Sequence, residues 1–326
     1  MGLKLKHPIV VSSCPLSETL DGIKTLEDSG ASAIVMFSLF EEQIRRENEA
    51  FDNLMESASG SFAESSDFFP QIDDVEKGPE QYLNLLSNAV AATDIPIVGS
   101  LNGITNEGWI DYAKQIQQAG ASALELNVYY IPTDITQSGA DVEQRYFDIL
   151  QSVKSSVSIP VAVKLSPFFS ATGHFAKRLD EAGADGLVLF NRFFQPDFNL
   201  DTLQVDPRAH LGSAEEIRVP LLWIAVLHDQ VRASLAASRG VQSSTEIVKY
   251  LLAGADVVMV ASALMRHGPQ YLQVLIDELD SWLSVRDYAS VNEIRGKMSH
   301  KHVVNPDEFE RVNYIKALGS GGRKSL

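Results

Sequence analysis

Four stretches of this 326-residue chain share one pattern, in which a small residue, glycine and alanine lead directly into an apolar run. They begin at Ser29, Ala119, Ala182 and Ala253. Each glycine follows a helical pattern, where a residue with positive φ closes a helix, and the apolar run then predicts a strand. The chain therefore repeats one joint, from a helix into a buried strand.

Three more strands are predicted where proline opens an apolar run, at Pro8, Pro96 and Pro160. Proline suits a first strand position, which can lack a ladder donor. An eighth strand is predicted at 235–238, and helix-period segments lie between the strands. Eight buried strands alternating with helices predict an α/β fold, a closed (β/α)8 TIM barrel in a single domain.

The length fits this fold, since a barrel of roughly 250 residues often carries long insertions. We expect the barrel over residues 1–300 and a partly flexible extension over 301–326. Three long loops, 39–78, 129–139 and 191–219, follow predicted strands at their C-terminal ends, where such barrels keep their chemistry. An open doubly wound sheet is the alternative, but no Gly-x-Gly-x-x-Gly follows any predicted strand.

Composition limits the partners. A formal net charge of −16 argues against nucleic acid and anionic membranes, because both would repel the chain. No apolar run approaches the roughly 18 residues of a membrane span, and the N-terminus lacks a secretory signal. Cys14 is the only cysteine, so no internal disulfide forms, and we expect a reducing, cytoplasmic location.

Lys164 is the only charged residue of the predicted strand that follows Pro160, and it lies at the C-terminal end of that strand. Ala162 shares its face one layer deeper, which leaves room for the ammonium at the mouth of the barrel. We therefore consider Lys164 a candidate catalytic residue. The alternative is a lysine that simply reaches water.

The other strand ends supply amides and small hydroxyls rather than carboxylate pairs, histidines or metal ligands. They include Ser12, Ser13, Cys14, Ser38, Ser100, Asn102, Asn127, Asn191, Ser238 and Ser262. Glu125 shares the face of Asn127 but lies one layer deeper. Such a mouth favours a planar, hydrogen-bonding cofactor over a divalent metal or a hydrolytic triad, so we expect no metal.

The last two strands predict an anion site. The small residues around Gly240 and Ala261 each precede a helix-like segment, which lets backbone amides approach a phosphate. Arg239 is expected to add a charge-assisted contact. The alternative is that these small residues only permit tight turns.

The order of these motifs resembles the dihydroorotate dehydrogenase family over about His7 to Val285. The similarity lies in Asn127 after Glu-Leu, Lys164 within Val-Ala-Val-Lys-Leu-Ser-Pro, and Asn191 after the sixth strand, with Ser-Arg-Gly-Val and Ala-Gly-Ala-Asp-Val-Val-Met-Val-Ala-Ser-Ala-Leu further on. The resemblance implies a barrel that binds FMN at its strand ends. It also implies two-electron chemistry at a CH–CH bond, as from dihydroorotate to orotate or on a related dihydropyrimidine.

The resemblance also assigns residues. Lys164 is expected at the pyrimidine edge of the flavin, and Asn127 and Asn191 between flavin and substrate. The residues expected to bind the rest of the cofactor are Ser13 and Asn102 near the ring, and Ser238, Arg239, Gly240, Ala261 and Ser262 at the phosphate.

The chain departs from the family pattern where the substrate proton is removed. The family has Asn-x-Ser-Cys-Pro-Asn, whereas this chain reads Asn127-Val-Tyr-Tyr-Ile-Pro132, which puts Tyr130 at the position of the base. A phenol with a pKa near about 10 needs help from a cation to act as a base, so a catalytic Tyr130 and a packing role both stay open. Phe37 replaces a family lysine, and Cys14 replaces a family glycine, with packing or a nucleophilic role as its alternatives.

Three functions remain open on these residues. The first is an FMN-dependent CH–CH oxidoreductase; the second is a lyase that uses Lys164 as a Schiff base on a phosphorylated substrate; the third is a non-catalytic flavin-binding barrel. The partners that fit are a small-molecule substrate, a second copy in a homodimer, and a separate electron-transfer protein, since any iron–sulfur centre needs cysteines from another chain. His300 and His302 are expected to be solvated rather than ligands.

Overall fold

The computed structural model describes residues 1–42, 78–103, 109–192, 195–206 and 211–309. Residues 43–77 of the first long loop, 193–194 and 207–210 of the third, and 310–326 of the predicted extension lie outside the described residues.

Parallel strands form a closed barrel within this part of the chain. The strands are β1 (Ile9–Val11), β2 (Ile34–Val35), β3 (Leu39–Phe40), β4 (Ile97–Gly103), β5 (Ala123–Val128), β6 (Val161–Leu165), β7 (Gly186–Leu189), β8 (Asp197–Asn199), β9 (Gln204–Asp206), β10 (Ser234–Ser238) and β11 (Val257–Val260). Eight of them form the ring β1-β11-β10-β7-β6-β5-β4-β2, which closes because β2 pairs with both β1 and β4. The predicted (β/α)8 barrel is confirmed.

Helices connect the barrel strands. They are α1 (Leu20–Asp28), α2 (Pro79–Ala92), α3 (Trp109–Gln118), α4 (Gly139–Lys154), α5 (Thr172–Glu181), α6 (Arg218–Leu227), α7 (Ser244–Ala253), α8 (Ser262–His267) and α9 (Tyr271–Ser284). Short 3-10 turns occur at Pro15–Ser17, Ala214–Ile217, Val291–Glu293 and Pro306–Phe309. None of the helices in the described ranges is long and apolar enough to span a membrane.

Within the described residues, three short strands lie outside the closed ring of eight. The strand β3 pairs with the upper part of β4, beyond the end of β2. The strands β8 and β9 form an antiparallel hairpin of their own in the third long loop. Sequence periodicity did not predict this hairpin, because each strand has only three residues and both are mostly exposed.

The repeated joints work as their sequence predicts. The four glycines have positive φ: Gly30 (100°), Gly120 (95°), Gly183 (98°) and Gly254 (120°). An L-residue with a side chain is disfavoured in this region, so each glycine allows the helix to end and the chain to turn into the next strand.

In three of the four joints, the side chain two places after the glycine ties its strand to a neighbour. The Asp185 carboxylate accepts a hydrogen bond from the Val161 amide at 2.8 Å, and Asp256 accepts one from the Leu235 amide at 2.8 Å. In the first joint, the Ser32 hydroxyl donates to the Ile9 carbonyl at 2.5 Å. These side chains set the register at the N-terminal end of the barrel.

The apolar core has two layers. The larger one lies between the strands and the helices, and the smaller one fills the barrel with short side chains such as Val10, Ala162 and Ala236. Leu3 and Leu5 of the N-terminal segment pack against the inner layer from below. The N-terminal end of the barrel is therefore covered, and its C-terminal end holds the polar side chains.

The C-terminal segment packs on the outside of the barrel. The amide of Gly296 donates to the Leu251 carbonyl at 2.9 Å, and the amide of Met298 donates to the Leu252 carbonyl at 2.8 Å. The His300 amide donates to the Ala225 carbonyl at 2.9 Å. This segment thus contacts the C-terminal ends of α6 and α7; the domain boundary near residue 300 stays a prediction.

Replacing Gly183 with alanine tests the backbone requirement of the joints. A Cβ at Gly183 would meet only the Lys154 Cε, at 3.9 Å, so the added methyl group causes no clash and the positive φ alone resists it. We expect Gly183→Ala to lower the free energy of unfolding by about 1–2 kcal/mol, as measured by urea denaturation. Gly139→Ala, at the open first position of α4, is the control, and an equal loss in both variants would contradict this explanation.

Candidate active site

An ion pair inside the barrel mouth fixes the charge of the site. The Lys164 Nζ lies 3.2 Å from the Glu125 Oε1, and the two residues are 6% and 1% exposed. The pairing of β5 with β6 places Glu125 beside Ala162, one layer below Lys164, as the alternation of side chains predicts. The lysine does not reach bulk water; its ammonium is held at the strand ends by a buried carboxylate.

Two asparagines lie next to this ammonium. Asn127 pairs directly with Lys164 across β5 and β6, and the Asn191 Nδ2 donates to the Asn127 Oδ1 at 2.6 Å. Both amides are nearly buried, and the Asn191 backbone amide also donates to the Leu165 carbonyl at 2.8 Å. The side chains are therefore held in one orientation beside the cation.

A row of hydroxyl groups crosses the mouth on the opposite side. The Ser13 and Ser38 hydroxyl oxygens are 3.3 Å apart, and those of Ser38 and Ser100 are 2.9 Å apart. The Tyr82 hydroxyl on α2 accepts from the Ser100 amide at 2.8 Å, and burial raises the pKa of Tyr82 well above its usual value. Tyr82 thus remains a neutral phenol that anchors the last serine of the row.

Two cavities open at the C-terminal end of the strands. The first, of about 510 Å³ and called cavity I here, is lined by Phe37, Asn102 and Tyr129 among others. The second, of about 300 Å³ and called cavity II, lies between the last strands and α8. The residues that line both are Ser13, Cys14, Pro15, Lys164 and Asn191. The two cavities are therefore adjacent, and Lys164 lies where they meet.

The predicted phosphate residues gather around cavity II. Its lining includes Ser238, Arg239, Gly240, Ala261 and Ser262. The cavity thus brings together residues from β10, the turn after it, and the start of α8. Their common role at an anion stays a prediction.

The side chain of Arg239 differs from the expectation that it would serve an anion directly. Its Nη2 lies 2.8 Å from the Glu216 Oε2, and the Arg192 Nη2 lies 3.7 Å from the Glu216 Oε1. Burial acts to raise the pKa of Glu216, but the hydrogen bonds and charges of the two arginines hold this pKa below its ordinary value. The guanidinium is therefore already paired with a carboxylate.

The backbone at this turn is held in an unusual conformation. Arg239 and Gly240 both have positive φ, 85° and 73°. The Tyr250 hydroxyl on α7 donates to the Arg239 carbonyl at 2.8 Å, which supports the turn from outside the barrel. The turn therefore keeps one shape beside cavity II.

The predicted catalytic tyrosine lies outside the lining of these cavities. The Tyr130 hydroxyl donates to the Gln137 Oε1 at 2.6 Å, and the Arg145 guanidinium stacks 4.0 Å from the centre of its ring. Its neighbour Tyr129 lines cavity I instead. The catalytic role of Tyr130 stays a prediction, and Tyr129 is the tyrosine that reaches the cavity with Lys164.

Cys14 takes a packing position. The residue is 7% exposed, belongs to the apolar core and lines both cavities. Burial raises the pKa of the Cys14 thiol, which disfavours the thiolate that a nucleophile requires. Of its two predicted roles, packing beside the site fits the structure better.

Sequence reasoning missed the acidic side chains of the mouth. Glu18 lines cavity I and Glu216 lines cavity II, although neither follows a strand. Glu216 lies in the 3-10 turn before α6, and its only local signal is the capping box that it forms with Ser213. A search restricted to strand ends could not find either residue.

Comparison with known proteins identifies the family. Residues 48–283 match the model of the family described as Dihydroorotate dehydrogenase, which is more than half of the chain. The chain belongs to this family. The resemblance inferred from the sequence motifs is confirmed.

Individual relatives show the same similarity at modest identity. A protein of Bacillus pumilus named dihydroorotate dehydrogenase B (NAD(+)), catalytic subunit, is 30% identical over 215 residues, which cover 64% of this chain and 68% of the relative. The protein of the same name in Shouchella clausii is 28% identical over 210 residues, covering 62% and 68%. That of Methanothermobacter thermautotrophicus is 23% identical over 313 residues, covering 90% and 95%.

The chain keeps some of the residues expected for a dihydroorotate dehydrogenase and replaces others. Lys164, Asn127 and Asn191 meet at the mouth, whereas Tyr130 replaces the expected cysteine or serine and is bonded to Gln137. The sequence has no counterpart, between Phe51 and Pro79, of the family segment expected to hold the substrate carboxylate, and most of this stretch lies outside the described residues. The described part of the site therefore matches the family best around Lys164.

Removing one partner of the buried ion pair tests its role in stability. Glu125→Leu leaves an unpaired buried ammonium, and Lys164→Met leaves an unpaired buried carboxylate. We expect each variant to lose about 3–5 kcal/mol of unfolding free energy, and the double variant to recover most of that loss. Urea denaturation of the four proteins measures the coupling, and additive losses would show that the two charges do not depend on each other.

Proposed function

We propose that this chain is an FMN-dependent oxidoreductase that acts on the CH–CH bond of a small dihydropyrimidine-type substrate, as in the oxidation of dihydroorotate to orotate. The observation that carries the proposal is Lys164, a buried ammonium that faces both cavities next to Asn127 and Asn191. The family of the chain supports the same reading.

The donor set suits FMN. Cavities I and II, of about 510 and 300 Å³, are of the size found for small-molecule sites, roughly 300–1,000 Å³. Cavity I has amides and hydroxyls for a flat ring, including the half-buried Ser13 and the buried Asn102. Cavity II has Ser238, Gly240 and Ser262 for a phosphate. When bound, FMN would supply the two-electron acceptor.

The protein would contribute charge and orientation. The Lys164 ammonium stabilises negative charge that develops at a group held beside it, and Glu125 keeps that ammonium at the strand ends. The Asn127 and Asn191 amides, fixed by their mutual hydrogen bond, would orient the substrate. In cavity II, the pairing of Arg239 with Glu216 leaves the backbone of the turn and the Ser262 hydroxyl as the expected phosphate contacts.

Oxidation of a CH–CH bond also releases a proton, which needs an acceptor. The sequence predicts Tyr130 for this role, while Tyr129 is the tyrosine on the same cavity as Lys164. We infer that Tyr129 is the better placed acceptor, because it lines cavity I together with Lys164 and Tyr130 does not.

The lyase alternative receives less support. An amine that attacks a carbonyl must first lose its proton, whereas Lys164 is paired with the Glu125 carboxylate at 3.2 Å. The non-catalytic flavin-binding barrel remains the competing proposal, because the loop that carries the base in the family is replaced here.

The relatives suggest how electrons would leave. Several are named catalytic subunits of an NAD(+) type of dihydroorotate dehydrogenase. We infer that this chain passes its electrons to a separate electron-transfer protein, acts on a small-molecule substrate, and works in the cytoplasm. A homodimer remains a prediction from the sequence.

Flavin binding is the first test. We expect recombinant protein to show a flavin absorption spectrum, either as purified or after reconstitution with FMN. The folded double variant Glu125→Leu/Lys164→Met should bind FMN at least about tenfold more weakly in a fluorescence titration, because the ammonium is gone. Lys249→Met, on the exposed face of α7, is the matched control. Colourless protein that FMN cannot reconstitute would remove the proposal.

The tyrosines are tested by flavin reduction without oxygen. The reconstituted protein is mixed with dihydroorotate and with other dihydropyrimidines, and the bleaching of the flavin is followed in a single turnover. We expect Tyr129→Phe to slow bleaching by about a hundredfold or more and Tyr130→Phe to leave it nearly unchanged. The reverse order would assign the base to Tyr130, and no bleaching with any compound would favour the non-catalytic barrel.

A further inference from the structure

Three side chains outside the site converge at the other end of the barrel. The His228 Nε2 lies 3.7 Å from the Asp229 Oδ1, and the His302 Nε2 lies 3.8 Å from the Asp229 Oδ2. One ligand atom from each of the three residues lies within 4.8 Å of the others. Two imidazoles and a carboxylate form a ligand set typical of zinc and other divalent transition metals.

The cluster joins two parts of the chain that are distant in sequence. His228 ends α6, and Asp229 follows it with a φ of 61° in the turn that leads to β10. His302 comes from the C-terminal segment, which the backbone hydrogen bonds of Gly296 and Met298 hold against α7. Because the turn precedes β10, the cluster lies at the N-terminal end of the strands, opposite Lys164.

The His228 ring is oriented for a ligand. Its Nδ1 lies 3.1 Å from the Gly254 carbonyl oxygen, which can only accept, so Nδ1 carries a hydrogen and Nε2 is the nitrogen left for a ligand. The ring fits closely against two glycines: a Cβ on Gly254 would lie 2.3 Å from the His228 Cγ, and one on Gly296 would lie 2.0 Å from its Nε2. The ring therefore cannot turn freely.

His302 has a comparable support. Its Nδ1 lies 2.9 Å from the Ser299 hydroxyl oxygen, which leaves Nε2 directed at Asp229. A metal-binding histidine is usually oriented by a hydrogen bond to the ring nitrogen that does not bind the metal, which is Nδ1 here. The Nε2 atoms of His228 and His302 both lie close to the Asp229 carboxylate.

We propose that His228, Asp229 and His302 bind one divalent transition-metal ion, with Zn²⁺ as the representative ion. At metal–ligand distances of about 2.0–2.2 Å, ligand atoms in a tetrahedral site are roughly 3.3–3.6 Å apart. The three ligand atoms now lie within 4.8 Å of one another, so binding requires them to move closer together. The Asp229 and His302 side chains, 42% and 47% exposed, have room to make this movement. Water would complete the coordination.

Lys301 competes for the same carboxylate. Its Nζ lies 3.4 Å from the Asp229 Oδ2, on a side chain that is 60% exposed. A mobile surface ammonium contributes little there, and a divalent ion held by two imidazoles would displace it. Removing this lysine should therefore strengthen metal binding, which is an outcome that a purely structural ion-pair cluster does not produce.

Bound metal would fasten the C-terminal segment to the turn after α6. Because the ion binds the folded chain, it should raise the melting temperature, and the rise should grow with the concentration of free ion. This role is independent of FMN and of the proposed oxidoreductase activity, since the two sites lie at opposite ends of the barrel.

The test uses full-length protein freed of any affinity tag and of metal by chelation. Calorimetric titration with Zn²⁺ should give one site per chain, and Co²⁺ should give the visible absorption of a bound ion. We expect His302→Asn and Asp229→Asn each to weaken Zn²⁺ binding at least tenfold and to abolish the rise in melting temperature. Lys301→Met should tighten binding, and His300→Asn, two positions from His302, should leave it unchanged.

These outcomes decide the proposal. The His228→Asn variant counts as evidence only if its circular dichroism and its melting temperature in chelator match those of the parent protein. If they do not, the Asp229→Asn and His302→Asn variants decide the result, because these two side chains are partly exposed and should tolerate substitution. Absence of Zn²⁺ binding by the parent protein, or equal affinity in the parent, Asp229→Asn and His302→Asn, would overturn the assignment. An equal loss in His300→Asn would indicate unspecific binding to surface histidines and would overturn it as well.

Discussion

The site depends on one buried ion pair. Two opposite charges almost without solvent contact are held 3.2 Å apart between neighbouring strands, so each offsets the cost of burying the other. The barrel makes this possible because the closed ring fixes β5 against β6 and places Glu125 one layer below Lys164. The cation is thereby kept at the strand ends, where it faces both cavities and is shielded from bulk water.

The two ends of the barrel serve different purposes. At the C-terminal end, the amides of Asn127 and Asn191, the serine hydroxyls and the turn at Gly240 surround space for a ligand. At the N-terminal end, Asp185 and Asp256 bind strand amides and set the register. Residues at one end of the barrel therefore stabilise the fold, and residues at the other end line the cavities. The loops at the C-terminal end of the strands can change in sequence while the glycine joints keep the barrel closed.

In cavity II, the proposed phosphate site, a carboxylate compensates the positive charge of two arginines. Glu216 is paired with Arg239 and Arg192, so the two positive charges near the cavity are partly compensated before any ligand arrives. Phosphate recognition would then rest on backbone and hydroxyl donors in a turn that Tyr250 supports. This balance suits a site that must hold a large cofactor in one orientation rather than merely attract anions.

The sequence by itself determined the barrel, because glycine with positive φ at each joint and apolar runs after it are local requirements that leave a readable pattern. Alternation along β5 and β6 also determined that Glu125 and Lys164 face inward, one layer apart. Only the tertiary structure decided what loop residues do. The contacts of Tyr130 with Gln137, of Arg239 with Glu216 and of His302 with Asp229 are seen only in the structure. No sequence pattern predicts them, because these loop segments share no periodicity and the closed ring decides which of them lie close together.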